Sequence, residues 1–155
     1  MLRFISYDIV FQEVPGEITL AINLSNCPNR CKGCHSPHLM EDKGEILDEI
    51  VLTDLMNKYG KAITCICFMG GDAAPQEIEQ LALFIRNAGR IKTAWYSGKQ
   101  HIPPACSHRH FDYIKLGPYI EELGGLNSVR TNQRLYRIRE DKMIDISSCF
   151  QKKTV

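Results

Sequence analysis

The sequence predicts an α/β fold whose sheet is mostly parallel. Short apolar segments bounded by turn residues indicate strands, and segments with apolar residues at helical spacing alternate with them. That alternation favours right-handed crossovers between neighbouring parallel strands. With 155 residues the chain is expected to form one domain over residues 1–155, well short of the about 250 residues of a complete eight-stranded barrel.

The predicted elements follow in chain order. Residues 3–14 mix apolar and polar positions, which predicts a strand or an arm before the turn at Pro15-Gly16. Apolar strands are predicted at residues 18–24, 63–69, 91–96 and 111–116, and two short strands over residues 134–146. Helices are predicted at residues 45–58 and 76–87, the second opened by Pro75.

A loop of distinctive composition follows each predicted apolar strand. These loops are the cysteine segment at residues 27–34, Gly70-Gly71-Asp72, Ser97-Gly98 and Gly117-Pro118. The carboxyl ends of parallel strands meet at one edge of a sheet, and ligands bind at that edge. We therefore expect the four loops to face one cleft.

Composition argues against several classes of protein. The formal net charge is +1, so nothing marks the molecule as a binder of nucleic acid or of a membrane surface. No apolar run approaches the roughly 20 residues that a membrane span needs. The start of the chain, with an early acid at Asp8, does not resemble a secretory signal. We therefore expect a cytoplasmic protein, whose thiols stay reduced.

Three of the seven cysteines are crowded into eight residues. Cys27, Cys31 and Cys34 have the spacing C-x3-C-x2-C, within a loop whose other residues suit solvent. Three neighbouring thiolates without a fourth predict a metal centre with one open position, and thiolates suit the iron of a cubane iron–sulfur cluster. A zinc site completed by His35 or His38 is the alternative that these residues leave open.

The other four cysteines have a simpler interpretation. Cys65 and Cys67 lie two residues apart on a predicted buried strand, so we expect them to be small core residues on one face. Cys106 and Cys149 have no neighbouring partner in the sequence and are expected to lie outside any site.

The cysteine spacing, placed after a first strand, resembles the signature of the radical S-adenosylmethionine family. Within that family the chain resembles the activating proteins of anaerobic ribonucleotide reductases. The resemblance is carried by residues 7–10, 31–35, 70–72, 112–119 and 131–134. It extends to about Ile138, which leaves residues 139–155 as a C-terminal extension.

The resemblance implies an oxidoreductase with an incomplete α/β barrel, open on one side. A [4Fe-4S] cluster would be held by Cys27, Cys31 and Cys34, with S-adenosylmethionine on the open iron. The implied cofactor-binding residues are Gly33, Cys34, His35, Gly70, Gly71 and Asp72. Reductive cleavage of S-adenosylmethionine would generate a glycyl radical on the large subunit of an anaerobic ribonucleotide reductase. A flavodoxin or ferredoxin is the implied electron donor.

Roles in binding S-adenosylmethionine can be assigned to single groups within this set. We expect Gly70-Gly71 to present backbone groups to the methionine end and the Asp72 carboxylate to accept from its ammonium group. Ser97 is a candidate for the ribose. Three other functions stay open at this point: activation of a different glycyl radical enzyme such as pyruvate formate-lyase, a zinc-binding module without catalysis, and a simple electron carrier.

Overall fold

An eight-stranded sheet runs through the computed structural model, which describes residues 1–34 and 37–151. Its strands are β1 (Arg3–Val10), β2 (Thr19–Leu24), β3 (Glu45–Ile46), β4 (Cys65–Met69), β5 (Lys92–Tyr96), β6 (Tyr113–Leu116), β7 (Arg134–Arg139) and β8 (Lys142–Asp145). Their order across the sheet is β3-β1-β2-β4-β5-β6-β7-β8. The predicted apolar strands are confirmed with slightly later starts, and so are the two short strands at the end.

The α/β class is confirmed, but the prediction of a mostly parallel sheet is wrong. Only the three central pairs, β2–β4, β4–β5 and β5–β6, are parallel. The four pairs at the flanks, β1–β2, β1–β3, β6–β7 and β7–β8, are antiparallel. A parallel pair needs a crossover of a dozen or more residues, whereas short turns such as Glu140-Asp141 return the chain antiparallel. Because β3 and β8 lie at opposite ends of the order, the sheet does not close into a barrel.

The first helix begins later than the sequence predicts. The helix expected at residues 45–58 is α1 (Glu49–Tyr59), and its first expected residues form β3 instead. The Asp48 carboxylate sets the start of α1, because it accepts from the Val51 N–H at 3.0 Å and so satisfies an open donor of the first turn.

The second helix, α2 (Pro75–Ala88), confirms the prediction for residues 76–87. Proline fits its first turn because the missing N–H would have no partner inside the helix. α2 connects β4 to β5 as a crossover, which keeps these neighbouring strands parallel. Neither helix of the described chain has the length and apolar character needed to cross a membrane.

Both faces of the central strands are buried, which explains why their sequences are continuously apolar. Ile66 and Phe68 of β4 lie in the core that also contains the inner faces of both helices. Cys65 and Cys67 lie in a second core with Ala94. The prediction that these two cysteines are small core residues is confirmed, and burial raises the pKa of the Cys65 thiol to about 12.

Candidate functional site

The last residues of the four central strands form one row across the sheet. Asn23 of β2 pairs with Met69 of β4. Met69 pairs with Tyr96 of β5, and Tyr96 pairs with Lys115 of β6. Side chains in matched register point to the same face, and all four residues line one cavity of about 310 Å³. This row, Asn23-Met69-Tyr96-Lys115, is called the floor row below.

The cysteine loop forms a wall of the same cavity. Cys27, Cys31 and Cys34 all line it, and all three are half-buried. The loop directly follows β2 and is fastened to the chain beyond it, because the Cys27 N–H donates to the Leu39 carbonyl at 2.9 Å. The three thiol groups therefore face a common space at the carboxyl end of the parallel strands.

The loops after β4, β5 and β6 complete the cavity. Gly70 and Asp72 follow β4, Gly98 follows β5, and Tyr119 follows β6. Gln133, just before β7, adds a polar side chain to the lining. The expectation that the loops face one cleft is thereby confirmed for the cysteine segment and for the loops after β4 and β5. Gly117 and Pro118 do not line the cavity, and the loop after β6 reaches it through Tyr119 instead.

The Asp72 carboxylate accepts three hydrogen bonds at this cavity. Its Oδ2 accepts from Asn29 Nδ2 at 2.7 Å and from the Gly98 N–H at 2.8 Å. Its Oδ1 accepts from the Ser97 hydroxyl at 2.5 Å. The carboxylate therefore ties the cysteine loop to the end of β5. Ser97, the candidate for the ribose, is only 1% exposed and is engaged by this carboxylate.

Asn29 connects Asp72 to Cys27, the first cysteine of the loop. Its Nδ2 lies 3.6 Å from Cys27 Sγ as well as within hydrogen-bond distance of Asp72. The absence of a side chain at Gly98 makes room for this arrangement, since a Cβ there would lie 2.5 Å from Asn29 Nδ2. Asn29 thus positions the cysteine loop over the end of the sheet.

Lys115 carries the only charge in the floor row. It is 8% exposed, and its Nζ donates to the Ser97 carbonyl at 3.1 Å and to the Gly117 carbonyl at 2.9 Å. Burial lowers the pKa of Lys115 to about 8, while the negative charges of Asp72 and of the three loop cysteine thiolates oppose that shift. The ammonium group is therefore within electrostatic reach of the whole cysteine loop.

The two glycines after β4 use their backbone groups within the chain. The Gly70 N–H donates to the Tyr96 carbonyl at 3.0 Å, and the Gly70 carbonyl accepts from Trp95 Nε1 at 2.7 Å. Gly71 has a φ of +86°, and a Cβ there would lie 2.5 Å from Cδ1 of Ile78. Gly70 lines the cavity, whereas Gly71 is packed beneath it. Their contact with a cofactor stays a prediction.

The remaining predicted residues lie at or beyond the rim. Gly33 is exposed and has a φ of +74°, and a Cβ there would lie 3.1 Å from the side-chain carboxyl carbon of Glu121. His35 lies outside the described residues. His38, the alternative zinc ligand, is exposed and does not line the cavity.

Asn29 and Lys115 are among the residues of the site that the sequence analysis did not identify as members of a binding site. Asn29 lies within the cysteine loop, where its side-chain amide is a donor close to sulfur. Lys115 gave a stronger signal, because it is a lysine near the end of a predicted apolar strand. A lysine side chain is rarely buried unless its charge is paired.

The side chains that line the cavity can be compared with the ligands of known kinds of metal site. Among the described residues, no group of three or more His, Cys, Asp or Glu side chains is disposed to hold a metal ion. The thiolates of a cubane cluster bind different iron atoms, so they need not converge on a single point. Three cysteines without disulfide bonds, lining one cavity beside a buried cation, fit such an anionic group in their chemistry.

No family model, no curated protein and no solved structure matches this chain.

Proposed function

We propose that this chain activates an anaerobic ribonucleotide reductase. It would do so as a radical S-adenosylmethionine oxidoreductase, which cleaves S-adenosylmethionine reductively at a [4Fe-4S] cluster and generates a glycyl radical on the reductase large subunit. The observation that carries the proposal is that all three cysteines of the C-x3-C-x2-C motif line one cavity at the carboxyl ends of the parallel strands.

The residues of the cavity have distinct roles in this proposal. Cys27, Cys31 and Cys34 hold the cluster, which when bound supplies the electron for cleavage of the sulfonium. Asp72 holds the cysteine loop in place through Asn29, and it lines the space in which S-adenosylmethionine would bind. Gly33, Cys34, Gly70 and Gly71 are the other proposed contacts of S-adenosylmethionine, together with His35.

The open sheet suits a substrate that belongs to another protein. We propose that the fold is a shortened form of the radical S-adenosylmethionine barrel, whose missing strands leave the cavity open on one side. A glycine-bearing loop of the reductase would enter there and exclude water from the reacting groups. A flavodoxin or ferredoxin is the proposed electron donor.

Metal analysis under anaerobic conditions tests the cluster directly. The protein is reconstituted with iron and sulfide, and bound iron and sulfide are measured beside the electron paramagnetic resonance spectrum of the reduced form. Adding S-adenosylmethionine is expected to change that spectrum, because the ligand occupies an open iron. An unchanged spectrum would indicate a simple electron carrier, and bound zinc in place of iron would indicate a zinc module.

A pair of cysteine variants shows whether the motif holds the cluster. Cys31→Ser is expected to lose bound iron and all radical formation, because it removes one of three ligands. Cys149→Ser is the matched control, since Cys149 is exposed and does not line the cavity. Equal iron content in the two variants would refute the assignment.

Incubation with candidate partners tests the substrate. The loaded protein, S-adenosylmethionine and a reductant are mixed with an anaerobic ribonucleotide reductase or with pyruvate formate-lyase. A glycyl radical signal on the reductase alone is the expected result. A signal only on pyruvate formate-lyase would transfer the proposal to that second partner.

A further inference from the structure

A buried ammonium group that forms no ion pair is costly, and Lys115 is such a group, although the Asp72 carboxylate lies within electrostatic reach of it. Its Nζ hydrogen bonds are to two carbonyl oxygens, and within the described part of the chain it forms no ion pair. Transfer of an unpaired charge out of water is unfavourable unless another charge compensates for it. The chain therefore keeps this lysine buried at a cost to its own stability.

The cavity itself compensates this charge only in part. Its Asp72 carboxylate accepts hydrogen bonds from Asn29, Ser97 and Gly98, and none of its hydrogen bonds is with Lys115. The other three members of the floor row, Asn23, Met69 and Tyr96, carry no charge, and the lysine lines the same cavity as the three loop cysteines. Two carbonyl acceptors occupy two of the three ammonium N–H groups, which leaves one donor for the cavity. An anion in this cavity would find a positive charge already in place.

Two other cations lie closer to the cysteines in the sequence, but they cannot play this part. Arg30 and Lys32 lie within the cysteine motif, and both are exposed. Water and salt screen the field of an exposed charge, whereas a buried charge acts through a medium of low polarity. Of these three cations, Lys115 therefore contributes most to the field in the cavity, although it is the most distant from the cysteines in sequence.

We propose that Lys115 is the counter-charge of the thiolate site, and that it holds the reduction potential of the group bound by the loop cysteines above the value it would otherwise have. The inference rests on the proposed function, because it takes these cysteines as the ligands of an anionic iron–sulfur group. A nearby positive charge stabilises the reduced, more negative form of such a group over its oxidised form. Removing that charge makes reduction harder.

The test compares two lysine-to-glutamine variants in the loaded protein. Lys115→Gln removes the buried charge but keeps a donor for the two carbonyls, and Lys32→Gln removes an exposed charge beside Cys31. Iron and sulfide contents are measured first, since absence of iron in the wild-type protein would contradict the proposed function rather than this inference. The midpoint potential is then followed by electron paramagnetic resonance during a redox titration.

We expect the midpoint potential of Lys115→Gln to move to a more negative value, and that of Lys32→Gln to move much less. Equal potentials in the two variants would overturn the proposal. So would weaker binding of S-adenosylmethionine by Lys115→Gln with an unmoved potential, because the lysine would then face the methionine carboxylate of that ligand rather than the thiolates.

A second readout uses the protein without metal and separates this role from a structural one. Lys115→Met replaces the unpaired charge by an apolar side chain of similar length, so the metal-free variant should unfold in urea at the same or a higher midpoint than the wild-type protein at pH 7. A clear loss of stability in Lys115→Met, together with an unmoved potential in Lys115→Gln, would show that the lysine merely supports the Ser97 and Gly117 carbonyls.

Discussion

The two ends of the parallel strands each contain a buried charged side chain, and they differ in how that charge is paired. At the amino end, the Glu17 carboxylate is 7% exposed and accepts from Lys92 Nζ at 2.6 Å, from the Thr64 hydroxyl at 2.7 Å and from the Tyr113 hydroxyl at 3.3 Å. At the carboxyl end, Lys115 is buried to a similar degree, and among the described residues its hydrogen-bond acceptors are the Ser97 and Gly117 carbonyls. Glu17 is thus paired with a cation, whereas Lys115 forms no ion pair within that part of the chain and has the Asp72 carboxylate only within electrostatic reach.

This difference indicates that the two ends of the sheet have different roles, one in stability and the other in binding. A paired and fully hydrogen-bonded charge ties neighbouring strands together, as Glu17 does for the segments around β4, β5 and β6. A buried charge that lacks a counter-ion contributes nothing comparable to the fold, and such groups cluster at functional sites. The amino end therefore stabilises the sheet, whereas the carboxyl end contains the cavity that we propose as the ligand site.

Thiol reactivity should show the largest contrast between the two ends. Cys65 begins β4 at the amino end, and its burial raises the pKa of its thiol from 9.0 to about 12, whereas Cys31 is half-buried in the cysteine loop. Since the thiolate is the reactive form, we expect iodoacetamide to modify Cys65 in the folded, metal-free protein roughly a thousandfold more slowly than an unburied thiol, and far more slowly than Cys31. Peptide mapping by mass spectrometry measures both rates.

The same reaction in concentrated urea is the control for that measurement. Unfolding removes the burial, so the two cysteines should then react at similar rates. Rapid modification of Cys65 without denaturant would mean that the amino end opens readily, and the proposed difference between the ends would be lost.

Removal of Glu17 should give the largest change in stability. Glu17→Ala leaves the hydroxyls of Thr64 and Tyr113 without their carboxylate acceptor, and we expect the free energy of unfolding to fall by about 3 kcal/mol. Lys92 adds little to this figure, because it is 45% exposed and solvent screens its charge. Urea denaturation measures the loss. The control, Glu122→Ala at an exposed position, should stay within about 0.5 kcal/mol of the wild-type protein.

Substitution of Lys115 should have a smaller effect that depends on pH. Burial lowers the pKa of Lys115 to about 8 in the folded protein, and the ordinary lysine pKa of 10.5 applies to the unfolded chain. Between these values the unfolded state binds more protons, so the stability of the wild-type protein rises with pH. Lys115→Met lacks this rise. Between pH 7.5 and 9.5, we expect the free energy of unfolding of the wild-type protein to rise by about 2 kcal/mol relative to that of Lys115→Met.

Urea denaturation of both metal-free proteins across this range checks the sign as well as the size. The Asp72 carboxylate and the three loop cysteines lie within electrostatic reach of the same ammonium group and limit the downward shift of its pKa. Parallel stability curves for the two proteins would show that the lysine is hydrated in the folded state. The carboxyl end would then contain no buried charge to compare with Glu17.

The sequence analysis predicted the central strands and the position of the cysteine loop for physical reasons that act locally. Continuous apolar runs indicate strands buried on both faces, and a strand that ends in a loop rich in turn residues places that loop at the sheet edge. The flanks were harder to predict. Whether β7 returns beside β6 depends on which edge the chain reaches after residues 117–133, and no local pattern determines that choice.

The polar contacts of the site could not be predicted because they join distant parts of the chain. Asn29 and Asp72 are 43 residues apart, and their contact follows from the positions of β2 and β4 rather than from either motif alone. The face of the sheet to which Lys115 points depends on the register of β6 with β5. The sequence does not indicate this face, because β6 has only four residues and shows too little alternation.

The smallest expected effect on stability comes from Gly98→Ala, which breaks a contact of the carboxyl end without disturbing the fold. The new Cβ would lie 2.5 Å from Asn29 Nδ2, and that amide is the end of a flexible side chain that can turn away. We expect the free energy of unfolding to change by less than about 0.5 kcal/mol. The nuclear magnetic resonance signals of the Asn29 side-chain amide should nevertheless shift as its contact with Asp72 is lost.

Gly125→Ala is the matched control for this variant. Gly125 also lines the cavity, but a Cβ there would meet side-chain oxygens of Asn127 and Gln133 only at an ordinary 3.8 Å. The Asn29 signals should therefore stay unchanged in this variant. If Gly98→Ala instead unfolded as easily as Glu17→Ala, the contacts around Asp72 would support the sheet as strongly as those around Glu17, and the two ends would not differ in kind.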